Sequence, residues 1–404
     1  MVIGIIGGGA SGMAAALAAA QEPNVQVIIF ERQSRVGRKL QATGNGRCNL
    51  TNKNCAIHAY HGADASFASP SLKSFDVDAT LAWFASLGLL TVAESSGRVY
   101  PYCDQANSVV DVLRLALNKD NIRLLTGFEV QKIKKTGIAF QVFGEVDQFV
   151  CDKLIIACGG LAGTKLGGTM SGYKLLRSFG HKCTPLRPAL VQIKSDWSAL
   201  TSLKGVRANC HAQILHDGKL FSESRGELQF TQHGVSGPVI FEISRDVCRE
   251  KGDWVCRLDF LPQLSREALC SVLLARKHSK LLTDELLTGI LHNRLGRVLT
   301  KEVNIRSNVP IASLNDAQIR LLAAAVKGFD ISLSEPFGMD SAQVTAGGII
   351  TEDFDPYTLQ SRLVSGLYAC GEVLDIDGDC GGYNLQWAWS SGYCAGLHAG
   401  KENR

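Results

Sequence analysis

The first twenty residues constrain the fold of this chain more than any other stretch. Residues 2–6 form an apolar run typical of a buried parallel strand, and residues 13–20 read as an almost entirely apolar helix. The residues between them, Gly7-Gly8-Gly9-Ala10-Ser11-Gly12, match the pattern G-x-G-x-x-G. Its first glycine permits a tight turn, its second lets a pyrophosphate approach the backbone, and its third brings helix and strand together. We therefore predict a dinucleotide-binding βαβ unit whose helix N-terminus binds the phosphates.

An acidic residue follows the second predicted strand. Residues 25–30 (VQVIIF) are apolar, and Glu31 comes directly after them. An acid placed about twenty residues beyond the glycines binds ribose hydroxyl groups, and it disfavours a 2′-phosphate. Glu31 is therefore predicted to bind the ribose of the dinucleotide.

A basic loop comes next, from Arg32 to Asn52, with five basic side chains and little helical periodicity. We expect Arg38, Lys39 and Arg47 to neutralise phosphate groups, and Gly44 and Gly46 to let the backbone approach a ring. The alternative is a basic loop that is merely solvated.

Cys48 stands in this loop between Arg47 and Asn49. Because a neighbouring cation lowers the pKa of a thiol, Cys48 is the one cysteine with a reactive setting, although we expect structural packing as its role. None of the thirteen cysteines forms a C-x-x-C pair, so we interpret the others as small apolar residues in a reducing compartment.

Three later segments carry features of the same predicted site. Val130 is placed where a backbone N–H and C=O can pair with an adenine. Cys158-Gly159-Gly160 follows an apolar strand whose end approaches the dinucleotide. Near the end of the chain, a strand leads into Gly371-Glu372 and Asp375, and residues 381–385 open a helix. Since both chain ends carry dinucleotide-site elements, we expect them to fold into one domain with the middle as an insertion.

The middle of the chain changes character twice. Short strand-like runs between residues 190 and 259 suggest a barrel or sandwich, and residues 265–327 are helical, with N-caps expected at Ser265, Thr283 and Asn315. Earlier, Asp78 and Ser108 are the expected caps of two helices, and residues 122–151 are expected to form a small antiparallel meander. The predicted domains are 1–188 (dinucleotide domain, first part), 189–262 (barrel, first part), 263–329 (helical), 330–345 (barrel closing segment) and 346–404 (dinucleotide domain, C-terminal part).

Composition excludes several function classes. A net charge of +4 on 404 residues, without a block of like charges, disfavours a nucleic-acid partner. We expect no membrane span, no signal peptide and a cytoplasmic location. Asp375, Asp377 and Asp379 alternate, but their spacing to a glycine and a glutamate does not fit a calcium loop, so no metal is expected. His58 and His61 are interpreted as surface residues.

Several separated blocks resemble one family, the FAD-binding oxidoreductases of the BaiN type, also called the aminoacetone-oxidase family. These blocks are GIIGGGASG, GRKLQATGNGRCNLTN, GELQFTQHGVSGP, AQVTAGGI and LYACGEVLDIDGDCGGYNLQWAWSSG. The resemblance covers essentially the whole chain. It implies an α/β fold with a Rossmann-like, glutathione-reductase-like FAD domain, interrupted by a β-barrel and a helical bundle.

The resemblance also implies roles for particular residues. Ser11 would lie near the pyrophosphate, Glu31 on the adenosine ribose, Gly371 and Glu372 near the ribityl chain and pyrophosphate, and residues 382–386 against the flavin ring. Arg47, Tyr383 and Asn384 are the flavin-side candidates. The predicted cofactor-binding residues are Gly7, Gly9, Ala10, Ser11, Gly12, Glu31, Arg32, Arg38, Lys39, Gly46, Arg47, Val130, Cys158, Gly159, Gly160, Gly371, Glu372, Asp375, Gly382, Tyr383, Asn384, Leu385 and Gln386.

The chain departs from the family pattern at two places. Ser171 replaces an acid in the loop of residues 168–172, and His233 follows Gln232 in Phe230-Thr231-Gln232-His233, displaced by one residue from the family's FTH motif. Both departures leave the family's substrates unassigned here.

We predict a flavoenzyme that transfers hydride through noncovalently bound FAD to a small molecule, with NAD(P)H as a candidate donor and an undetermined oligomeric state. Three alternatives stay open: a plain NAD-dependent dehydrogenase, a flavin-dependent RNA-modifying or RNA-binding protein, and a non-catalytic flavin-binding module. Cys48 is the one catalytic candidate.

Overall fold

A computed structural model of the protein describes residues 1–248 and 252–401. The elements of the first part are β1 (Val2–Ile6), α1 (Ala10–Ala19), β2 (Gln26–Glu31), α2 (Arg38–Gln41), β3 (Thr51–Asn52), β4 (Tyr60–His61), α3 (Ser69–Ser74), α4 (Val77–Ser86), β5 (Thr91–Ala93), β6 (Arg98–Pro101), α5 (Ala106–Ala116), β7 (Ile122–Thr126), β8 (Lys132–Thr136), β9 (Ala139–Phe143), β10 (Gln148–Cys151), β11 (Lys153–Ile156), α6 (Ser171–Arg177) and β12 (Arg187–Ala189). The middle contains β13 (Ile193–Lys194), α7 (Leu200–Leu203), β14 (Arg207–His216), β15 (Lys219–Phe230), β16 (Gly234–Ser236), α8 (Pro238–Val247), β17 (Trp254–Asp259), α9 (Arg266–Arg276), α10 (Asn293–Glu302), α11 (Asp316–Lys327) and β18 (Phe329–Leu333). The last part contains β19 (Val344–Ala346), β20 (Leu367–Ala369), β21 (Asp377–Gly378) and α12 (Tyr383–Gly400).

These elements divide into two units, one made of Met1–Arg187 with Ala342–Arg404 and the other of Pro188–Ser341. Strands from both chain ends meet in the first unit, in a parallel sheet of order β20-β11-β1-β2-β7. The apolar strands β1, β2 and β11 are buried here because helices and loops cover a parallel sheet on both faces. The sheet confirms the predicted Rossmann-like α/β class.

One predicted strand pairs differently from expectation. Residues 122–125 were expected to begin an antiparallel meander, but β7 pairs in parallel with β2, and only β8, β9 and β10 form the antiparallel sheet. Strand propensity identified each of these segments as extended. The choice of partner depends on contacts between residues about a hundred positions apart, which propensity does not contain.

Helices α1 and α12 approach each other through small residues. A Cβ atom at Gly392 would lie 2.2 Å from the carbonyl oxygen of Ser11, and a Cβ atom at Gly396 would lie 2.1 Å from that of Ala15. Because residues four apart share one face of a helix, these glycines form a stripe that lets the two backbones touch. The close contact brings the first and last helices of the chain together beside β1.

The second unit is built on an antiparallel sheet of order β13-β16-β15-β14-β17-β18. Its two edges meet, because the Lys194 amide donates to the carbonyl of Glu335 and the Ser334 amide donates to the carbonyl of Lys194, both at 2.9 Å. Closure removes the unpaired edges of an open sheet. The predicted barrel is therefore confirmed, with its own apolar core shared with α8–α11.

Helix starts were predicted with mixed success. Ser265 and Asn315 cap α9 and α11 through their side chains, as predicted. Asp76 rather than Asp78 caps α4, Gln105 rather than Ser108 precedes α5, and Thr283 begins a short 3₁₀ turn without capping it.

No helix among residues 1–248 and 252–401 is both long and apolar enough to span a membrane.

Candidate functional site

The three fingerprint glycines each meet a different environment at the start of α1. Gly7 has φ +111°, and a Cβ atom there would lie 2.4 Å from the carbonyl oxygen of Ala157. A Cβ atom at Gly12 would lie 1.9 Å from the carbonyl oxygen of Gly7, whereas one at Gly9 would meet no atom within 4 Å. Gly7 and Gly12 therefore close the turn against protein, and Gly9 faces an open space. That space suits a pyrophosphate, because the helix N-terminus beside it presents unpaired N–H groups.

Glu31 ends β2 next to this turn and is largely buried, with 8% of its surface exposed. Its carboxylate accepts hydrogen bonds from the backbone amides of Gly8 and Gln33, each at 2.7 Å. These bonds hold the carboxylate at the strand end beside the glycine turn. A carboxylate with two oxygens has further acceptor capacity for the hydroxyl groups of a ribose.

The segment that follows β20 packs against both α1 and α12. Gly371 has φ +75°, and a Cβ atom there would lie 2.6 Å from the Ser11 hydroxyl oxygen. The Gly371 amide donates to the Ser391 hydroxyl at 3.0 Å, and its carbonyl accepts from the Trp387 indole at 3.2 Å. Only glycine fits here because the backbone is left-handed and pressed against α1. The structure thus brings together Ser11 and Gly371, which are 360 positions apart.

Glu372 belongs to a second, polar cluster. Its carboxylate accepts from the amide of Thr345 at 2.8 Å and pairs with the ammonium group of Lys39 at 2.8 Å. A Cβ atom at Gly160 would lie 2.4 Å from both Glu372 and the hydroxyl of Thr345. Gly159 has φ +69° and open space around its Cβ position. Cys158 donates its thiol to the carbonyl of Ile6, and burial raises its pKa to about 12.

The first turn of α12 is the second helix N-terminus of the site. Gly382 precedes the helix at φ +102°, and a Cβ atom there would lie 2.5 Å from the carbonyl oxygen of Thr51. Residues 381–385, which include Leu385, are half-exposed. The Asn384 side chain accepts from the Gly378 amide at 2.8 Å and donates to the Gly378 carbonyl at 2.7 Å. The Asn384 amide therefore holds the turn that precedes α12.

Basic side chains of the loop form ion pairs with carboxylates elsewhere in the first unit. Arg47 forms ion pairs with Asp104 at 2.5 Å and Glu94 at 3.0 Å, and its guanidinium lies 3.9 Å from the ring centre of Tyr100. Arg32 donates to the carbonyl of Gly167, and Arg38 donates to the side chain of Gln33. Lys39 and Arg47 thus both have carboxylate partners, and their role in neutralising phosphate stays a prediction. Arg38 is exposed.

The glycines of this loop adopt left-handed backbone angles, as close approach to a ring requires. Gly44 and Asn45 both have φ +57°, and Gly46 has φ +86° with open space at its Cβ position. A side chain at Gly46 would project into that space.

Two predicted site residues are used inside the fold instead. The Gln386 side chain is fully buried: it accepts from the Thr51 hydroxyl at 2.6 Å and donates to Thr80, Ser390 and the Phe75 carbonyl. The assignment of Gln386 to the cofactor site, as part of the first turn of α12, stays a prediction. Asp375 is buried and accepts from the amide of Ala63 at 3.2 Å, which ties down the loop after β4.

Val130 is buried beside the end of β2. The amides of Gly127 and Phe128 donate to the carbonyls of Gln33 and Glu31, both at 2.9 Å. These bonds bring the segment that contains Val130 to the end of β2 at Glu31, and its adenine-pairing role stays a prediction.

Cys48 does not have the reactive setting that its neighbour suggested. Its side chain is fully buried, and burial raises the pKa of the thiol to about 12. The neighbouring Arg47 pairs instead with Asp104 and Glu94. The expected depression of this pKa is therefore corrected.

We expect Cys48 to resist iodoacetamide in the folded protein at pH 8, where a thiol with a pKa of about 12 is ionised to roughly one part in ten thousand. Exposed Cys103 is the internal control and should be modified. Peptide mass mapping before and after unfolding measures both. Rapid modification of native Cys48 would contradict this assignment.

One polar pair near α12 was missed by sequence reasoning. The Nε2 atom of His61, on β4, lies 2.6 Å from a carboxylate oxygen of Asp379. The two residues are 318 positions apart, so local patterns left His61 as a surface histidine and Asp379 as part of a rejected calcium loop.

Comparison with known proteins gives three kinds of match. A family model described as the HI0933-like protein Rossmann domain matches residues 1–398. A 3-dehydro-bile acid delta(4,6)-reductase from Clostridium scindens is 41% identical over 403 residues, which cover 98% of each chain. A ribosomal RNA dihydrouridine synthase from Haemophilus influenzae is 29% identical, again over 98% of each chain. The 3-ketosteroid delta1-dehydrogenase structure from Sterolibacterium denitrificans matches in fold, with a TM-score of 0.51 at 12% identity over 98% of this chain and 99% of the other.

Proposed function

Since this chain belongs to the HI0933-like protein family and is an oxidoreductase, we propose that it binds FAD noncovalently and reduces a carbon–carbon double bond conjugated with a carbonyl group. The cradle at the start of α1 carries the cofactor assignment. Gly9 faces open space, the helix N-terminus offers unpaired amides, and Glu31 ends the neighbouring strand. Together they match the phosphate and ribose of an adenine dinucleotide.

A flavin rather than a nicotinamide is supported by the second helix N-terminus. In our proposal, residues 382–385 face the flavin ring, where a helix N-terminus stabilises the negative charge of the reduced ring by roughly 0.3–2 kcal/mol. A plain NAD-dependent dehydrogenase leaves this half-exposed helix start without a role. The protein's part is to bind and orient FAD, and bound FAD supplies hydride transfer.

The substrate class is inferred from the chemistry that the relatives' names share. Reduction of a 3-dehydro steroid at delta(4,6) saturates double bonds conjugated with a ketone, and dihydrouridine arises from uridine by saturation of a double bond conjugated with a ring carbonyl. Both reactions add a hydride and a proton across an electron-poor alkene. We favour a small-molecule enone, because the more similar relative is the bile acid reductase.

An RNA substrate is the second candidate, from the dihydrouridine synthase relatives. The second unit offers little electrostatic support for it: residues 188–341 contain 19 Lys and Arg against 17 Asp and Glu, a net charge of +2. RNA-binding surfaces are usually much more basic.

NADH or NADPH is proposed as the electron donor.

The proposal is tested by following flavin absorption in two anaerobic half-reactions. The purified protein should be yellow, NADH or NADPH should bleach it, and a 3-oxo-4,6-diene bile acid should restore the colour. Uridine-containing ribosomal RNA is the comparison acceptor. A colourless protein that takes up no FAD contradicts the cofactor assignment, and restoration by RNA alone would favour the second candidate.

A further inference from the structure

The His61–Asp379 pair lies in the first unit at the short sheet formed by β4 and β21. His61 is opposite Asp377 in the register and Tyr60 is opposite Gly378. The Nε2 atom of His61 lies 2.6 Å from a carboxylate oxygen of Asp379, and their side chains are 33% and 43% exposed. This exposure leaves both within reach of a ligand.

The pair is held rigidly next to the first turn of α12. The Tyr60 hydroxyl donates to the carbonyl of Tyr383 at 3.1 Å, and the Asp379 amide donates to the carbonyl of Ala59 at 2.9 Å. Asn384 donates to the carbonyl of Asp379 at 3.3 Å as well as bonding to Gly378. The same bonds therefore position the helix start proposed to face the flavin ring and the carboxylate that holds His61.

Reduction of an enone requires a proton as well as a hydride. We propose that His61, oriented by Asp379, donates this proton, an inference that rests on the proposed function. Imidazole is the side chain best suited to exchange protons near neutral pH, and a carboxylate on one ring nitrogen fixes the orientation of the ring. Because Nε2 is bonded to Asp379, the proposal assigns the donated proton to Nδ1.

Bound reduced FAD, recharged by NAD(P)H, would supply the hydride that adds to the carbon β to the carbonyl, while the π electrons of the alkene move toward the carbonyl oxygen to give an enolate. Protonated His61 gives its Nδ1 proton to the α carbon as the enolate returns to the ketone, so that each carbon of the former alkene has gained one C–H bond. Neutral His61 then regains a proton from water.

The experiment separates proton donation from cofactor binding. Wild type, His61→Gln, Asp379→Asn and the matched control His58→Gln are loaded with FAD, reduced with dithionite and mixed anaerobically with a 3-oxo-4,6-diene bile acid. His58 is an exposed histidine three positions away. We expect unchanged FAD affinity in all four, reoxidation at least about 100-fold slower in His61→Gln, a smaller loss in Asp379→Asn, and no loss in His58→Gln.

Two further measurements distinguish chemistry from structure. Added imidazole should restore reoxidation in His61→Ala, which a merely structural role would not allow. In the FAD-free protein, ¹⁵N spectra of the His61 ring should show a hydrogen-bonded Nε2–H that disappears in Asp379→Asn. Wild-type reoxidation rates in His61→Gln would overturn the inference, whereas a wild-type protein that the enone does not reoxidise would overturn the proposed function itself.

Discussion

Replacing Gly9 with alanine is expected to weaken FAD binding by at least about tenfold while leaving the melting temperature of the FAD-free protein unchanged. The backbone of Gly9 has φ −83°, which alanine adopts without strain, and its Cβ position meets no protein atom within 4 Å. The added methyl group would therefore occupy only the space proposed for the pyrophosphate. A loss of about 1.4 kcal/mol in binding corresponds to tenfold in affinity.

Gly12→Ala is the matched comparison, three positions away on the same helix. Its Cβ atom would lie 1.9 Å from the backbone oxygen of Gly7, and no rotamer change can relieve a contact with backbone. We expect a loss of about 3 kcal/mol in stability, and a melting temperature lower by roughly 5–10 °C, even without FAD. Titration with FAD and thermal melts of both variants measure the contrast. Equal FAD affinity in Gly9→Ala and wild type would show that the dinucleotide does not pass Gly9.

Gly396→Ala is expected to destabilise the protein by about 2–4 kcal/mol, although alanine is the better helix former by up to about 1 kcal/mol. The reason is the contact between α12 and α1, where the new Cβ atom would lie 2.1 Å from the carbonyl oxygen of Ala15. The two helices would have to separate, and the Ser11–Gly371 contact beside them would loosen. Loss of FAD affinity should accompany the loss of stability.

Gly400→Ala provides the control on the same face of α12. Its Cβ atom would lie 3.2 Å from a carbon of the Glu22 side chain and 3.3 Å from the carbonyl oxygen of Ala19, contacts that a small shift relieves. We expect a change within about 1 kcal/mol. Thermal melts of the two variants measure the difference, and equal effects would argue against a backbone contact at Gly396.

Residues 7–12 could be read correctly because their roles are local. A G-x-G-x-x-G turn between a buried strand and an apolar helix specifies its own geometry: Gly7 and Gly12 are pressed against backbone, and the Cβ position of Gly9 is open, whereas the pyrophosphate contact stays a prediction. The caps at Ser265 and Asn315 also follow from patterns within a few residues, whereas closure of the barrel depends on bonds between Lys194 and residues 334–335. The helix starts at Asp76 and Gln105 were missed by two or three residues, because neighbouring polar residues compete for the cap.

The charged residues show what the sequence by itself did not contain. Lys39 and Arg47 looked like free cations because their partners, Glu372, Glu94 and Asp104, lie 47 to 333 positions away. Cys48 looked activated for the same reason, and only burial revealed a raised pKa. Gln386 looked like a ligand-binding residue until the fold surrounded it with Thr51, Thr80 and Ser390.

The sequence by itself therefore determined the glycine turns, the helix N-termini and the acid that ends β2. These features depend on φ, ψ and hydrogen bonds within one turn. Only the tertiary structure decided which side chains are available for chemistry, because pairing and burial are set by residues from distant parts of the chain. His61 and Asp379, 318 positions apart and 2.6 Å from each other, are the clearest instance.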